Sequence, residues 1–119
     1  MGFQLTAVQA LHLWRGAIVD SVRRDGPDLS ARQMALMLTV YLVPPPHTVR
    51  GLAQTLNISK PAVTRALDRL SELGLIKRKV DDNDRRSVLV QRTVKGSVFL
   101  REFGDLIVSA AGIANEAAG

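Results

Sequence analysis

The sequence contains no cysteine, which excludes disulfides, a thiol redox switch and a cysteine-ligated metal or iron–sulfur cluster within these 119 residues. Its two histidines, His12 and His47, are isolated and lack metal-ligand spacing, so each is expected to be structural or solvated. No nucleophile–base pair and no phosphate-cradling glycine loop is present. The sequence therefore predicts a protein that is not an enzyme and that carries no metal or cofactor.

Long apolar runs are also missing. The uncharged run of residues 33–49 contains three prolines and several polar residues, so it is not expected to span a bilayer. The N-terminus lacks a basic segment ahead of its apolar residues, and no secretory signal is predicted. These absences predict a cytoplasmic protein with no membrane partner.

Positive charge is concentrated in the middle of the chain. Twelve of the sixteen Lys and Arg residues lie between His47 and Arg101, against five of the eleven Asp and Glu residues. A concentrated basic segment indicates a polyanion as partner. Composition alone leaves a merely basic protein surface as the alternative.

The pattern of residues 48–73 predicts two short helices joined by a tight turn. Thr48 can cap the first helix, in which apolar residues recur at helical spacing up to Leu56. Asn57 tolerates the left-handed conformation that a turn needs. Ser59 is the predicted N-cap of the second helix, and Gly74 is its predicted stop.

The second helix has an apolar face and a polar, mostly basic face. The apolar face holds Val63, Ala66, Leu67, Leu70 and Leu73. The polar face holds Pro61, Thr64, Arg65, Asp68 and Glu72, with Lys60 and Arg69 on its flanks. A helix-turn-helix needs this arrangement to place its second helix in the DNA major groove. An ordinary helical hairpin with a solvated charged face is the alternative at this point.

A β-hairpin is predicted next, with strands at residues 75–80 and 87–91. Its polar tip, residues 81–86, is longer than a two-residue turn and is expected to project as a wing. Arg85 and Arg86 near the tip can reach the adjacent minor groove or phosphates. Asp81 or Asp84 can pair with these arginines and hold the tip in shape.

Two long helices are predicted at residues 3–24 and 94–117, the second capped by Thr93, and both are apolar on several sides. Such helices must be buried on most sides, which a chain this small cannot easily achieve alone, so both are predicted dimerisation helices. For the first, a central core helix is the alternative. A further helix from a Ser30–Gln33 capping box to about Leu42 completes a mainly α fold, an α+β winged helix in one domain, 1–119.

The order of elements resembles the MarR family of winged-helix transcription regulators. The motifs that carry the resemblance are residues 49–53, 58–65, 70–76 and 81–86, and the Thr93-Val94-Lys95-Gly96 opening of the last helix. Arg92 stands where the family usually has leucine, and Asn83 stands at the middle arginine of its wing motif. Family members usually continue into a further C-terminal helix, whereas this chain ends at Gly119. Three alternatives follow: dimerisation is weaker, it rests on the first and last helices alone, or the chain is truncated.

The resemblance implies a homodimer that binds double-stranded DNA at a pseudo-palindromic operator, as a repressor released by a small-molecule effector. The DNA-binding lobe is predicted at residues 48–92. The predicted major-groove contacts are Ser59, Lys60, Pro61, Thr64, Arg65 and Arg69. The predicted wing and backbone contacts are Thr48, Arg50, Lys77, Arg78, Asn83, Arg85 and Arg86. The predicted ligand pocket involves Trp14, Met34 and Tyr41.

A winged-helix module for protein assembly, without specific DNA binding, is the alternative function. Such a module is expected to expose aromatic residues or leucines along residues 59–69. The sequence shows none on that face.

Overall fold

The structure, a computed structural model, describes residues 4–118, and the side chains of residues 4–112. The described residues form two compact units, residues 4–28 with 100–118 and residues Leu29–Phe99. The prediction of one domain across residues 1–119 stays a prediction. The elements are α1 (Ala7–Arg23), α2 (Ala31–Leu42), α3 (Val49–Leu56), α4 (Lys60–Glu72), β1 (Ile76–Asp81), β2 (Asp84–Arg92) and α5 (Val94–Ala118).

Side-chain caps explain where most helices begin. Ser30 and Gln33 form the predicted capping box at α2, and Thr48 Oγ1 accepts a hydrogen bond from Gly51 N at 2.9 Å. Thr6 forms a second capping box with Gln9, so α1 begins at Ala7. The predicted helix included residues 4–6, and this part of the prediction is wrong, because the Thr6 hydroxyl caps the helix by accepting a hydrogen bond from Gln9 N. Phe3, the predicted start, lies outside the described residues.

The hairpin is antiparallel, as predicted, but its second strand is longer and its turn is shorter. Asp81 pairs with Asp84, which leaves Asp82 and Asn83 as a two-residue turn. The expected six-residue tip is wrong, because Asp81 belongs to β1 and residues 84–86 belong to β2. The strand register shifts between Val80 and Asp81, and residues 77–80 and 82–86 of the hairpin are exposed.

The core of the Leu29–Phe99 unit lies between α2, α3, α4 and the hairpin. Its most buried residues are Leu36, Met37, Val40, Leu52, Val63, Leu67, Leu70, Leu75, Ile76 and Val90. β2 also bonds to the chain ahead of α3, where Val90 N donates to His47 O at 2.8 Å. His47 is buried, and its Nε2 lies 2.8 Å from Val43 O, so the predicted structural role of this histidine is confirmed.

Tyr41 joins three elements of the same unit. Its hydroxyl donates to Leu75 O at 2.6 Å and accepts from Thr93 N at 2.9 Å. Thr93 Oγ1 accepts from Gly96 N at 2.9 Å, which confirms Thr93 as the cap of α5. A Cβ atom at Gly96 would overlap the Tyr41 hydroxyl and the Leu75 carbonyl oxygen. Glycine is therefore needed at this close approach.

Arg92 closes the end of α2. Its Nε donates to Val40 O at 2.8 Å and its Nη2 to Val43 O at 3.2 Å, and its guanidinium lies 5.9 Å from the Tyr41 ring centroid. A cation here satisfies carbonyls at the negative end of the helix. Arg92 therefore has a structural role at the position where the family usually has leucine.

The other unit buries few apolar side chains of α1. Trp14 packs edge-on against Phe103 with ring centroids 6.1 Å apart, and Ala17 is fully buried. Leu11 is 69% exposed and Val22 is 64% exposed. None of the helices in the described part of the chain has the length and apolar character needed to cross a membrane.

Candidate nucleic-acid interface

The turn between α3 and α4 is fixed by Asn57 and Ser59. Asn57 adopts the left-handed conformation at φ 53°, ψ 46°, as predicted. Ser59 Oγ accepts from Ala62 N at 3.2 Å and starts α4, whose first turn contains Pro61. At the other end Gly74 has φ 74°, as its predicted role as the stop requires.

The two faces of α4 differ completely in burial. The buried residues are Ala62, Val63, Ala66, Leu67 and Leu70, each at most 7% exposed. The exposed residues are Ser59, Lys60, Pro61, Thr64, Arg65, Asp68, Arg69 and Glu72. Every predicted major-groove residue therefore lies on one exposed face. We call this exposed set the outer face of α4.

The predicted wing and backbone residues lie on several elements. Thr48 and Arg50 lie at the start of α3, Lys77 and Arg78 on β1, and Arg85 and Arg86 on β2. Asn83 lies in the hairpin turn, where its N–H donates to Asp81 Oδ1 at 2.9 Å. Apart from Thr48, all of these residues are exposed. The Thr48 hydroxyl already caps α3.

Ion pairs shape the basic surface. Arg86 Nε lies 3.7 Å from Asp84 Oδ1, so the predicted pairing at the wing tip is confirmed for Asp84. Arg69 pairs with Glu72 at 3.7 Å, along α4. Arg78 Nη1 lies 2.8 Å from Asp68 Oδ1 and joins β1 to α4. Sequence reasoning missed this last contact, because no spacing pattern connects a helix residue to a strand residue beyond a turn.

The predicted ligand pocket stays a prediction. Trp14 belongs to one unit, and Met34 and Tyr41 belong to the other. Within the Leu29–Phe99 unit, a cleft of about 280 Å³ lies elsewhere, and sequence reasoning missed it. It is lined by Val40, Pro45, Pro46, His47, Leu89, Val90, Gln91 and Arg92. Across the described residues, no group of three His, Asp or Glu side chains could hold a metal ion.

This geometry defines a class of protein. A capped two-helix unit with a tight left-handed turn, followed by a hairpin beside the second helix, is a winged helix-turn-helix. The predicted mainly α winged-helix fold is confirmed.

Comparison with known proteins identifies the family. The sequence model of the MarR family matches residues 28–87, half of the chain, and the chain belongs to this family of transcription regulators. Members of the family are DNA-binding regulators and not enzymes.

Solved structures share the fold. The MepR–DNA complex of S. aureus is 20% identical, covers 93% of this chain and 89% of that chain, and gives a TM-score of 0.75. A transcriptional regulator from Thermotoga maritima is 21% identical over 93% and 70% of the two chains, with a TM-score of 0.65. A MarR transcriptional regulator from Methanosarcina mazei is 20% identical over 92% and 74%, with a TM-score of 0.66.

Proposed function

We propose that the protein is a sequence-specific DNA-binding regulator that places α4 in the major groove. The observation that carries this proposal is the division of α4. Its apolar face is sealed in the core, and its outer face presents polar and basic side chains at a capped helix N-terminus. S. aureus MepR, which shares the fold, has been solved in complex with DNA, and this supports DNA as the partner.

Base readout is assigned to the residues of the outer face of α4 other than Asp68 and Glu72. Arg65 is the first candidate for a base contact, because a guanidinium pairs bidentately with guanine in the major groove. The structure describes no ion-pair partner for Arg65 among residues 4–112. The other residues proposed for base readout are Ser59, Lys60, Pro61, Thr64 and Arg69.

Phosphate contacts are assigned to the start of α3 and to the wing. The residues proposed for this role are Thr48, Arg50, Lys77, Asn83, Arg85 and Arg86. Such contacts orient a protein on the duplex and release counterions, so binding is expected to weaken as salt rises.

A homodimer that binds a pseudo-palindromic operator is the proposed assembly. α1 exposes Val8, Leu11 and Val22 at more than half of their surface, and α5 exposes Val108 at 72%. Exposed apolar side chains on helices indicate an interface with another protein surface. Two-fold related α4 helices then read half-sites about one helical turn apart. Cytoplasmic location stays a prediction.

Repression released by a small-molecule effector is proposed from the family alone, with Trp14, Met34 and Tyr41 as the candidate contacts. The Tyr41 hydroxyl is already engaged by Leu75 and Thr93, so only its ring is available to a ligand. Calorimetric titration with phenolic compounds tests this part of the proposal. Absence of heat would weigh against an effector of that class.

The test of the whole proposal is selection from a random DNA pool at about physiological salt, with sequencing of the retained fraction. A selected palindrome with half-sites about 10 base pairs apart supports sequence-specific binding by a dimer. Retention without an enriched motif indicates a non-specific basic domain. No retention would favour the protein-assembly function, although the outer face of α4 exposes no leucine or aromatic residue.

A further inference from the structure

Among the described residues, a single ion pair joins the recognition helix α4 to the wing. Arg78 Nη1 lies 2.8 Å from Asp68 Oδ1, whereas the three other pairs connect residues two or three apart in sequence at 3.6–3.7 Å. The Arg78 side chain is 31% exposed and the Asp68 side chain is 53% exposed. The two charged groups are therefore in direct contact, and their partial exposure moderates the attraction between them.

Asp68 lies where an uncompensated carboxylate would harm DNA binding. It is on the outer face of α4, three residues after Arg65 and four after Thr64, and residues at these spacings are neighbours on a helix surface. An unpaired carboxylate here would attract the Arg65 guanidinium and would repel the phosphates of an approaching duplex.

We propose that Arg78 is a positioning residue for base readout and does not contact phosphate. Its guanidinium holds the Asp68 carboxylate at the base of the wing, which leaves Arg65 available to DNA and neutralises the acidic group nearest to it. The inference rests on the proposed DNA-binding function. It also changes the interpretation of Arg78, which the sequence placed among the backbone contacts.

The test compares the unmodified protein with Arg78→Ala, Asp68→Asn and the double variant, on the selected operator and on random DNA. Arg78→Ala should weaken operator binding by roughly three- to tenfold, because it leaves Asp68 unpaired. Adding Asp68→Asn should restore the operator affinity of Arg78→Ala to within about twofold of the unmodified protein. Asp68→Asn alone should keep operator binding and tighten binding to random DNA.

The salt dependence of binding provides a second readout. A phosphate contact contributes about 0.9 to the slope of log affinity against log salt concentration. The double variant should therefore keep the slope of the unmodified protein. Lys77→Ala is the matched control on the same strand, and its slope should be smaller by about 0.9.

Three results would overturn the inference while leaving the proposed function in place. The first is unchanged operator binding by Arg78→Ala. The second is a double variant that does not regain operator affinity. The third is a salt slope in the double variant that is smaller by about 0.9, the value of one phosphate contact. If the unmodified protein retains no DNA, the proposed function fails, and this inference fails with it. Thermal unfolding by circular dichroism checks that each variant folds, and Arg78→Gln replaces the alanine variant if that one does not.

Discussion

The two helices α4 and α1 differ in what their apolar residues contact. α4 buries Ala62, Val63, Ala66, Leu67 and Leu70 of its apolar face, with Val63, Leu67 and Leu70 completely covered. α1 buries Ala17 and leaves Leu11 and Trp14 exposed at 69% and 47%. Both helices have an apolar stripe in the sequence, yet only in α4 do other residues of the same chain bury most of that stripe. The contrast separates the polar exposed face of α4, which we propose for DNA, from the apolar exposed surface of α1, which we propose for a protein interface.

The largest expected effect is a loss of stability, which should differ between a substitution on the buried side of α4 and one on the exposed side of α1. Leu67→Ala should lower the free energy of unfolding by roughly 2–5 kcal/mol, because it leaves a cavity in the core. Leu11→Ala, at an exposed position, should change it by less than about 0.5 kcal/mol in dilute monomer. Urea unfolding at several protein concentrations measures both values. Equal losses in the two variants at low concentration would contradict the contrast.

The second prediction concerns self-association through α1. Leu11→Asp should raise the dimer dissociation constant by about tenfold or more, because it places a charge on the exposed apolar surface that we propose as the dimer interface. Sedimentation equilibrium measures this constant. His12→Gln, a change at the next exposed residue, is the control and should leave it unchanged. A Leu11→Asp protein that still forms dimers as well as the parent would show that α1 does not form the interface.

The same contrast extends along α5. Gly96→Ala should destabilise the fold by roughly 1–3 kcal/mol, because the new methyl group overlaps Tyr41 and the Leu75 backbone. Gly104, in the same helix, has nothing within 4 Å of the site of an added Cβ. Gly104→Ala should therefore stabilise the helix by about 0.5–1 kcal/mol. Thermal unfolding of both variants measures whether each one is less or more stable than the unmodified protein. Destabilisation by Gly104→Ala that grows with protein concentration would instead place Gly104 in the proposed dimer interface.

The last prediction concerns single arginines and changes DNA binding rather than stability. Arg65→Ala should cost roughly 1–3 kcal/mol on the selected operator and relax the preference at one position per half-site. Arg15→Ala, which removes an exposed arginine from α1, should leave operator binding unchanged. Competition binding with operator and random DNA measures both. Equal losses on the two DNAs for Arg65→Ala would assign Arg65 to phosphate rather than to a base.

Local signals in the sequence predicted most of the fold. The caps at Ser30, Thr48, Ser59 and Thr93 connect atoms three residues apart, so residue type and spacing were enough to place these helix starts. Thr6 used the same chemistry and was missed, because the apolar pattern of α1 extends past its true start. The two-residue turn was missed for a different reason, since a polar sequence does not show where strand pairing stops.

The sequence by itself determined the helix-turn-helix, because helical periodicity and capping depend on residues within one turn of each other. It also determined which side of α4 is polar. Only the tertiary structure decided which residues make polar contacts over long separations in the sequence. Arg92 and Tyr41 act across 52 residues, and Arg78 reaches from a strand to a helix. Such contacts follow from how elements pack and from strand register, which no local pattern of side chains specifies.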